Sequence, residues 1–279
     1  MDKKIISKAG LSLLIAAACW AGCHTKNLSS QPQKSLTSEP VSKILKQIKD
    51  KTNQLSTYQC RIEYLCSQPL FESQTLRGGL LYYQKFGKKS KLRINLETLK
   101  QDDEKEKKYI EQFIFDSQYL THIDYAMKQV RIHQLTEPNE PNESPDAFAL
   151  LSRNFPIIGF TQAGDLKKEF EIKLVNQNEK EDTPIIAAEA GIHEFVHLHL
   201  KVKPGSVYKD DYTSIDLWID KKLYLPAKII AVSTEKDIYQ IKFLKPKVNK
   251  ELDKKTFDLK IPKGFTTEKI PLKKELTTN

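Results

Sequence analysis

The chain has 279 residues and a net charge of +9 at neutral pH. Its lysines are spread along the whole length rather than clustered with aromatic residues, which argues against nucleic-acid binding and fits a surface facing anionic lipid or polysaccharide. Beyond the first two dozen residues no stretch has the ~20 apolar residues of a transmembrane helix.

The first 22 residues have the anatomy of a secretion signal. Three lysines before position 9 give a positive start, and an apolar run from Leu11 to Trp20 follows. This run is too short to cross a bilayer. We therefore expect residues 1–22 to be a signal peptide and the protein to be exported to the periplasm.

Cys23 is the predicted site of lipid attachment. Ala21-Gly22-Cys23 resembles the end of a lipoprotein signal, in which the cysteine thiol receives a diacylglycerol. Trp20 stands where such signals usually carry an aliphatic residue, so ordinary cleavage near Ala18 is the alternative. Residues 23–37 are polar and have the composition of a flexible tether between a membrane anchor and a domain.

An amphipathic helix is predicted from Val41 to Leu55, and a second, after a break at 137–143, carries Phe148, Leu151 and Phe155. The other elements show the period-two alternation of strands. They are Tyr58–Cys66, Leu76–Lys85, Lys91–Glu97, Tyr109–Phe115, Tyr119–Tyr125, Lys128–Leu135, Phe170–Val175, Glu194–Lys203, Ser214–Asp220, Ala227–Ser233 and Ile238–Leu244.

Short turns between successive strands predict an antiparallel meander. Since each strand has one apolar face, the sheet must curl over a core. The predicted fold class is therefore mainly β with helices (α+β): an incomplete antiparallel β-barrel of about eleven strands with a helical lid. It occupies residues 38–272, and a polar tail of residues 273–279 follows.

Cys60 and Cys66 lie on the same face of one predicted strand. Six residues of extended chain separate them by more than a disulfide can span unless the strand bends. An oxidising envelope permits a disulfide. Free thiols and a disulfide therefore both remain open.

The segment His193-Glu194-Phe195-Val196-His197 matches the zinc-protease pattern of two histidines four residues apart. That pattern needs a helix, because only a helix places residues four apart on one face. Here the surroundings alternate as a strand, with His197 and His199 on the outer face and Val196, Leu198 and Leu200 on the other. We expect no catalytic residue, no metal site and no cofactor, with a zinc-dependent hydrolase as the least favoured alternative.

Three segments in the C-terminal half occur in an ordered series. They are Leu200 to Pro204, then Ile215-Asp-Leu-Trp-Ile-Asp220 with Leu225-Pro226, then Val248-Asn249 through Phe257 to Ile261-Pro262-Lys-Gly264. This series resembles the closing part of the outer-membrane lipoprotein carrier (lipoprotein-sorting, LolA/LolB-like) family. Gly79 to Tyr83, Leu92-Arg93-Ile94, Asp116-Ser117 and Tyr125 to Val130 match its N-terminal half more loosely.

The resemblance implies an eleven-stranded incomplete barrel that holds acyl chains between the sheet and a helical lid. The implied function is a non-enzymatic carrier or acceptor of lipids or lipoprotein acyl chains in the cell envelope, as a monomer. An envelope sensor or protein-interaction module on the same fold is the alternative. The residues expected to line the acyl cavity are Ile62, Tyr64, Leu80, Tyr82, Leu92, Arg93, Ile94, Phe148, Leu151, Phe155, Val196, Leu198, Leu200, Ile215 and Leu217.

Overall fold

The computed structural model describes residues 38–136, 147–148, 163–175 and 194–271. In these ranges there are two helices, α1 (Ser38–Asn53) and α2 (Ala163–Glu169). The strands are β1 (Thr57–Gln68), β2 (Ser73–Phe86), β3 (Lys89–Gln101), β4 (Lys107–Phe115), β5 (Tyr119–Asp124), β6 (Gln129–Gln134), β7 (Phe170–Val175), β8 (Phe195–Val202), β9 (Tyr212–Asp220), β10 (Pro226–Ser233), β11 (Ile238–Val248) and β12 (Thr266–Ile270).

All twelve strands belong to one sheet, in the order β12-β6-β5-β4-β3-β2-β1-β11-β10-β9-β8-β7. Every neighbouring pair is antiparallel except β12 and β6, which are parallel. The sheet ends at β12 and β7 and does not close, so the fold is an open half-barrel, as the sequence predicts. β12 adds to the eleven predicted strands. Its first four residues are exposed, so it has no apolar alternation that could have revealed it.

Helix α1 covers part of one face of the sheet, and we name this face the inner face. Val41, Leu45 and Ile48 are buried at helical spacing and pack into the main core. Leu55 also enters the core but lies two residues beyond the helix end, so the predicted Val41–Leu55 helix is displaced by two or three residues. Lys43, Lys46 and Lys49 are exposed on the opposite side of α1.

The family-like segments have structural roles at two junctions. Asp220 ends β9, and its Oδ1 accepts hydrogen bonds from the backbone N–H groups of Lys222 (2.6 Å) and Leu223 (2.9 Å), which closes the turn into β10. Asn249 directly follows β11, and its Oδ1 accepts a hydrogen bond from the backbone N–H of Ser56 (2.8 Å). Asn249 thereby ties the end of β11 to the connection between α1 and β1.

Gly79 lies where β2 and β3 come closest together. A register shift interrupts their pairing between Gly78 and Gly79, and a Cβ at position 79 would lie 2.0 Å from the carbonyl oxygen of Asn95. Backbone atoms of a central strand cannot move away cheaply. A glycine is therefore required here by close approach rather than by a turn.

We predict that Gly79→Ala lowers the free energy of unfolding by about 2 kcal/mol or more, because the added methyl overlaps the β3 backbone. Gly205→Ala is the matched control, since a Cβ there meets no atom within 4 Å. Urea denaturation of both variants measures the effect. Equal stability of the two variants would contradict the close approach.

Candidate functional site

The inner face collects most of the residues predicted to line a cavity. Ile215 and Leu217 of β9 pair with Leu200 and Leu198 of β8, and all four are completely buried. Ile62, Leu92 and Ile94 belong to the same core on the other side of β11. The structure thus brings predicted wall residues from both halves of the chain onto one apolar surface under α1.

Half-buried apolar side chains surround this core on the inner face, and we name them the inner rim. They keep accessible surface while packing against the buried residues, so the apolar surface continues outward from the core. Two of them, Tyr64 and Val196, are predicted wall residues. The inner rim consists of Tyr64, Phe113, Leu120, Leu135, Ile172, Val196, Val202 and Tyr212.

Phe148 packs deep in the core. Its ring stacks on Tyr83 with 4.4 Å between centroids and meets Tyr58 edge-on at 6.5 Å. The preceding residue, Ala147, donates its backbone N–H to Ser90 Oγ at 2.8 Å. Phe148 therefore belongs to the core of the inner face, and its role as a lid residue stays a prediction. Leu151 and Phe155, like Cys23 and His193, lie outside the described residues.

Three predicted cavity residues lie on the other face of the sheet, so their assignment to the cavity is wrong. On β2 the core residues are Leu81 and Tyr83, which places Leu80 and Tyr82 on the outer face. The segment from Gly79 to Tyr83 is apolar on both faces, so the alternation of the sequence could not show which of its residues face the core. Tyr82 pairs across the strands with Arg93, which is likewise on the outer face.

Arg93 binds the C-terminal segment rather than the cavity. Its Nη1 donates to the carbonyl oxygens of Thr256 (3.1 Å) and Asp258 (3.0 Å). Its Nε donates to Asn95 Oδ1 at 2.8 Å. A guanidinium fork is suited to such several-fold donation. Arg93 therefore fastens the segment between β11 and β12 to the outer face of β3.

We predict that Arg93→Met costs about 2 kcal/mol of unfolding free energy, since it removes charge-assisted hydrogen bonds from a half-buried site. Arg131→Met is the control: its ion pair with Glu268 is exposed and long (3.7 Å), so about 0–1 kcal/mol is expected. Urea denaturation measures both variants, and unchanged stability of Arg93→Met would contradict its role in holding the C-terminal segment.

A charged cluster on the inner face escaped the sequence analysis. Glu111 of β4 is nearly buried and bonds Arg77 of β2 at 3.2 Å and His122 of β5 at 2.7 Å. His122 also stacks on Phe113 with 4.4 Å between ring centroids. The only signal in the sequence is a glutamate at an inward position of an otherwise apolar strand. Each charge compensates another, so the cluster joins three strands without leaving a buried charge alone.

His197, the second histidine of the zinc-protease match, lies on strand β8 and not on a helix, as does His199. His197 Nε2 and His199 Nδ1 lie 2.8 Å and 3.0 Å from the same oxygen of Asp216 on β9. Burial opposes ionisation of the Asp216 carboxyl, but the hydrogen bonds from both histidines outweigh it, so the pKa is lowered from 3.8. Among the described residues no three His, Cys, Asp or Glu side chains are arranged to hold a metal ion.

Cys60 and Cys66 are both free thiols. Burial raises the pKa of Cys60 to about 12, although a hydrogen bond with Tyr58 lowers it slightly. Burial likewise raises the pKa of the half-exposed Cys66. Since only the thiolate is a good nucleophile, neither cysteine is activated for covalent chemistry at neutral pH.

Comparisons with known proteins give distant structural similarities and no match in sequence. No family model and no curated protein matches the sequence. The chain is similar in structure to MucB in complex with MucA from Pseudomonas aeruginosa, with 12% identity, a TM-score of 0.44, and coverage of 79% of this chain and 61% of that chain. It is also similar to a LolA superfamily protein from Nitrosomonas europaea (11% identity, TM-score 0.30, 80% and 98% covered).

A third similar structure is LprF from Mycobacterium bovis, with 8% identity, a TM-score of 0.39, and coverage of 82% of this chain and 99% of that chain. All three similarities are distant, so function has to be argued from this chain's own residues. Within the described ranges no helix is long and apolar enough to span a membrane.

Proposed function

We propose that this protein is a non-enzymatic carrier or acceptor of lipid or lipoprotein acyl chains in the bacterial cell envelope. The observation that supports it is the inner rim: apolar side chains that remain accessible on the same face as the core. Of the described helices, α1 is the longer, and it spans less than half of the sheet's width. Twelve strands about 4.8 Å apart make a sheet roughly 53 Å wide, whereas α1, with its 16 residues, is about 24 Å long.

Acyl chains suit such a surface because their binding needs no directional chemistry. Each buried methylene contributes about 0.8 kcal/mol, so a chain of a dozen carbons gains affinity from apolar walls alone. Among the described residues of the inner face, Cys60 is a free thiol with a raised pKa, and Glu111 is paired with Arg77 and His122. Together with the apolar walls, these features support the proposal of a binding protein.

We predict that an inner-rim carboxylate removes bound acyl chains. Leu120→Asp and Val196→Asp each place a charge beside the core, and we expect at least a tenfold loss of acyl lipid co-purifying with the full chain. Leu80→Asp is the matched control, since Leu80 is equally half-buried but lies on the outer face. Lipid extraction with mass spectrometry measures the acyl content.

Circular dichroism melting must show that each variant stays folded. Wild-type protein without acyl chains, or equal acyl content in the inner and outer variants, would contradict carriage. In that case the same fold would serve as an envelope sensor or protein-interaction module.

Cys23 determines whether such a protein is a free carrier or an anchored acceptor. We predict that the mature N-terminus of the wild type has the added mass of a diacylglycerol on Cys23, and that Cys23→Ser lacks it and leaves the membrane fraction. Intact-mass measurement of both proteins gives the answer. Cleavage near Ala18 with an unmodified Cys23 would instead indicate a soluble shuttle.

A further inference from the structure

Four large apolar side chains are far more exposed than any other in the described part of the chain. Leu70 and Phe71 are each 73% exposed, Val207 is 74% exposed and Met127 is 76% exposed. The next most exposed, Leu259, is 43% exposed. Fully exposed side chains of this size are unfavourable in water, so their grouping is informative.

The topology places all four just beyond the ends of strands that point the same way. The end of β5 is set back along the sheet, because Asp124 lies level with Ile62 of β1. Leu70 and Phe71 follow β1, Met127 follows β5 and Val207 follows β8. Since neighbouring strands in this part of the sheet are antiparallel and an odd number of strands separates each pair, β1, β5 and β8 point the same way. We name this end, formed by residues 69–72, 125–128 and 203–211, the tip end.

Defined turns present these side chains. Leu70 and Phe71 lie in a 3₁₀ turn that starts at Pro69 and closes at Glu72 in the left-handed region (φ 51°). The Met127 N–H donates to Asp124 Oδ1 at 2.9 Å, and the Val207 N–H donates to Glu169 Oε2 at 2.8 Å. The backbone at each tip is therefore anchored while its apolar side chain points into solvent.

We propose that the tip end inserts these side chains into the surface of a lipid bilayer. Four strand spacings separate β1 from β5 and also β1 from β8. Across the strands, the β1 tip therefore lies roughly 20 Å from each of the other two, and those two lie roughly 40 Å from each other. A protein partner usually buries one continuous patch with an apolar centre. A fluid interface accepts separate points, and three of them on a curved edge fix the tilt of the protein.

The surrounding charges fit insertion rather than electrostatic adsorption. Lys128 lies next to Met127, and Lys209 lies two residues after Val207. Asp102 and Asp103, however, lie beside the β1–β2 tip, where their carboxylates would repel anionic lipid. Binding through the tip end should therefore occur on zwitterionic phosphatidylcholine vesicles and persist at high salt. High salt screens the attraction between charges beyond a few ångströms, but it does not weaken the burial of apolar side chains.

The test introduces a tryptophan at a tip and measures whether lipid acyl chains contact its indole ring. Full-length Phe71→Trp and Met127→Trp are mixed with phosphatidylcholine vesicles that carry brominated acyl chains, which quench tryptophan at contact. Phe86→Trp is the control, because Phe86 is also exposed but lies at the opposite end of β2. Fluorescence of the unsubstituted chain is subtracted.

We expect at least twofold quenching of the added indole at positions 71 and 127, unchanged by 0.5 M salt, and none at position 86. In the Cys23→Ser background, where no lipid anchor contributes, the double variant Leu70→Ser with Phe71→Ser should lower vesicle partitioning on the order of tenfold or more. Absent or equal quenching at all three positions would overturn the proposal. Sedimentation provides a second test. If the wild type self-associates and the double variant does not, the tips contact protein rather than lipid, and the proposal is overturned.

This inference does not depend on acyl carriage. Tip insertion is measured by tryptophan quenching at positions 71 and 127, whereas carriage is measured by the acyl lipid that Leu120→Asp loses. A variant that shows normal quenching but no bound acyl chain separates the two proposals.

Discussion

An open sheet of twelve strands has to cover its inner face, and the structure depends on how that is done. Val41, Leu45 and Ile48 of α1 bury the centre, and Phe148 adds an aromatic layer over Tyr58 and Tyr83. The inner rim is what these elements leave accessible. Core stability and a possible binding surface therefore come from the same apolar face, and they differ only in how much of each side chain is covered.

The two faces of the sheet have separate roles. The inner face carries the core and the inner rim, while the outer face receives the C-terminal segment held by Arg93. A second small core, with Ile114, Ile123 and Val130, forms under that segment, where Phe265 packs. This division explains why family-like residues such as Asn249 and Asp220 turn out to hold junctions together. They preserve the frame on which the inner face is built.

Much of this architecture could be predicted from the sequence, because half-buried strands alternate visibly. The eleven strands, the first helix and the outward histidines of β8 follow from that periodicity. The phase of β2 could not be predicted, since Gly79 to Tyr83 are apolar on both faces and only pairing with Leu92 and Ile94 selects one. The Arg77–Glu111–His122 cluster also escaped, because it joins strands 11 to 34 residues apart.

The parallel strand β12 has a further consequence at the edge of the sheet. An unclosed barrel exposes a row of unpaired backbone groups, to which a strand from another copy could add. β12 occupies the position beside β6 and presents exposed polar residues, Thr266, Thr267, Glu268 and Lys269. Charged edge residues disfavour further strand addition. β12, the last strand among the described residues, thus disfavours the addition of a further strand at this edge of the open barrel.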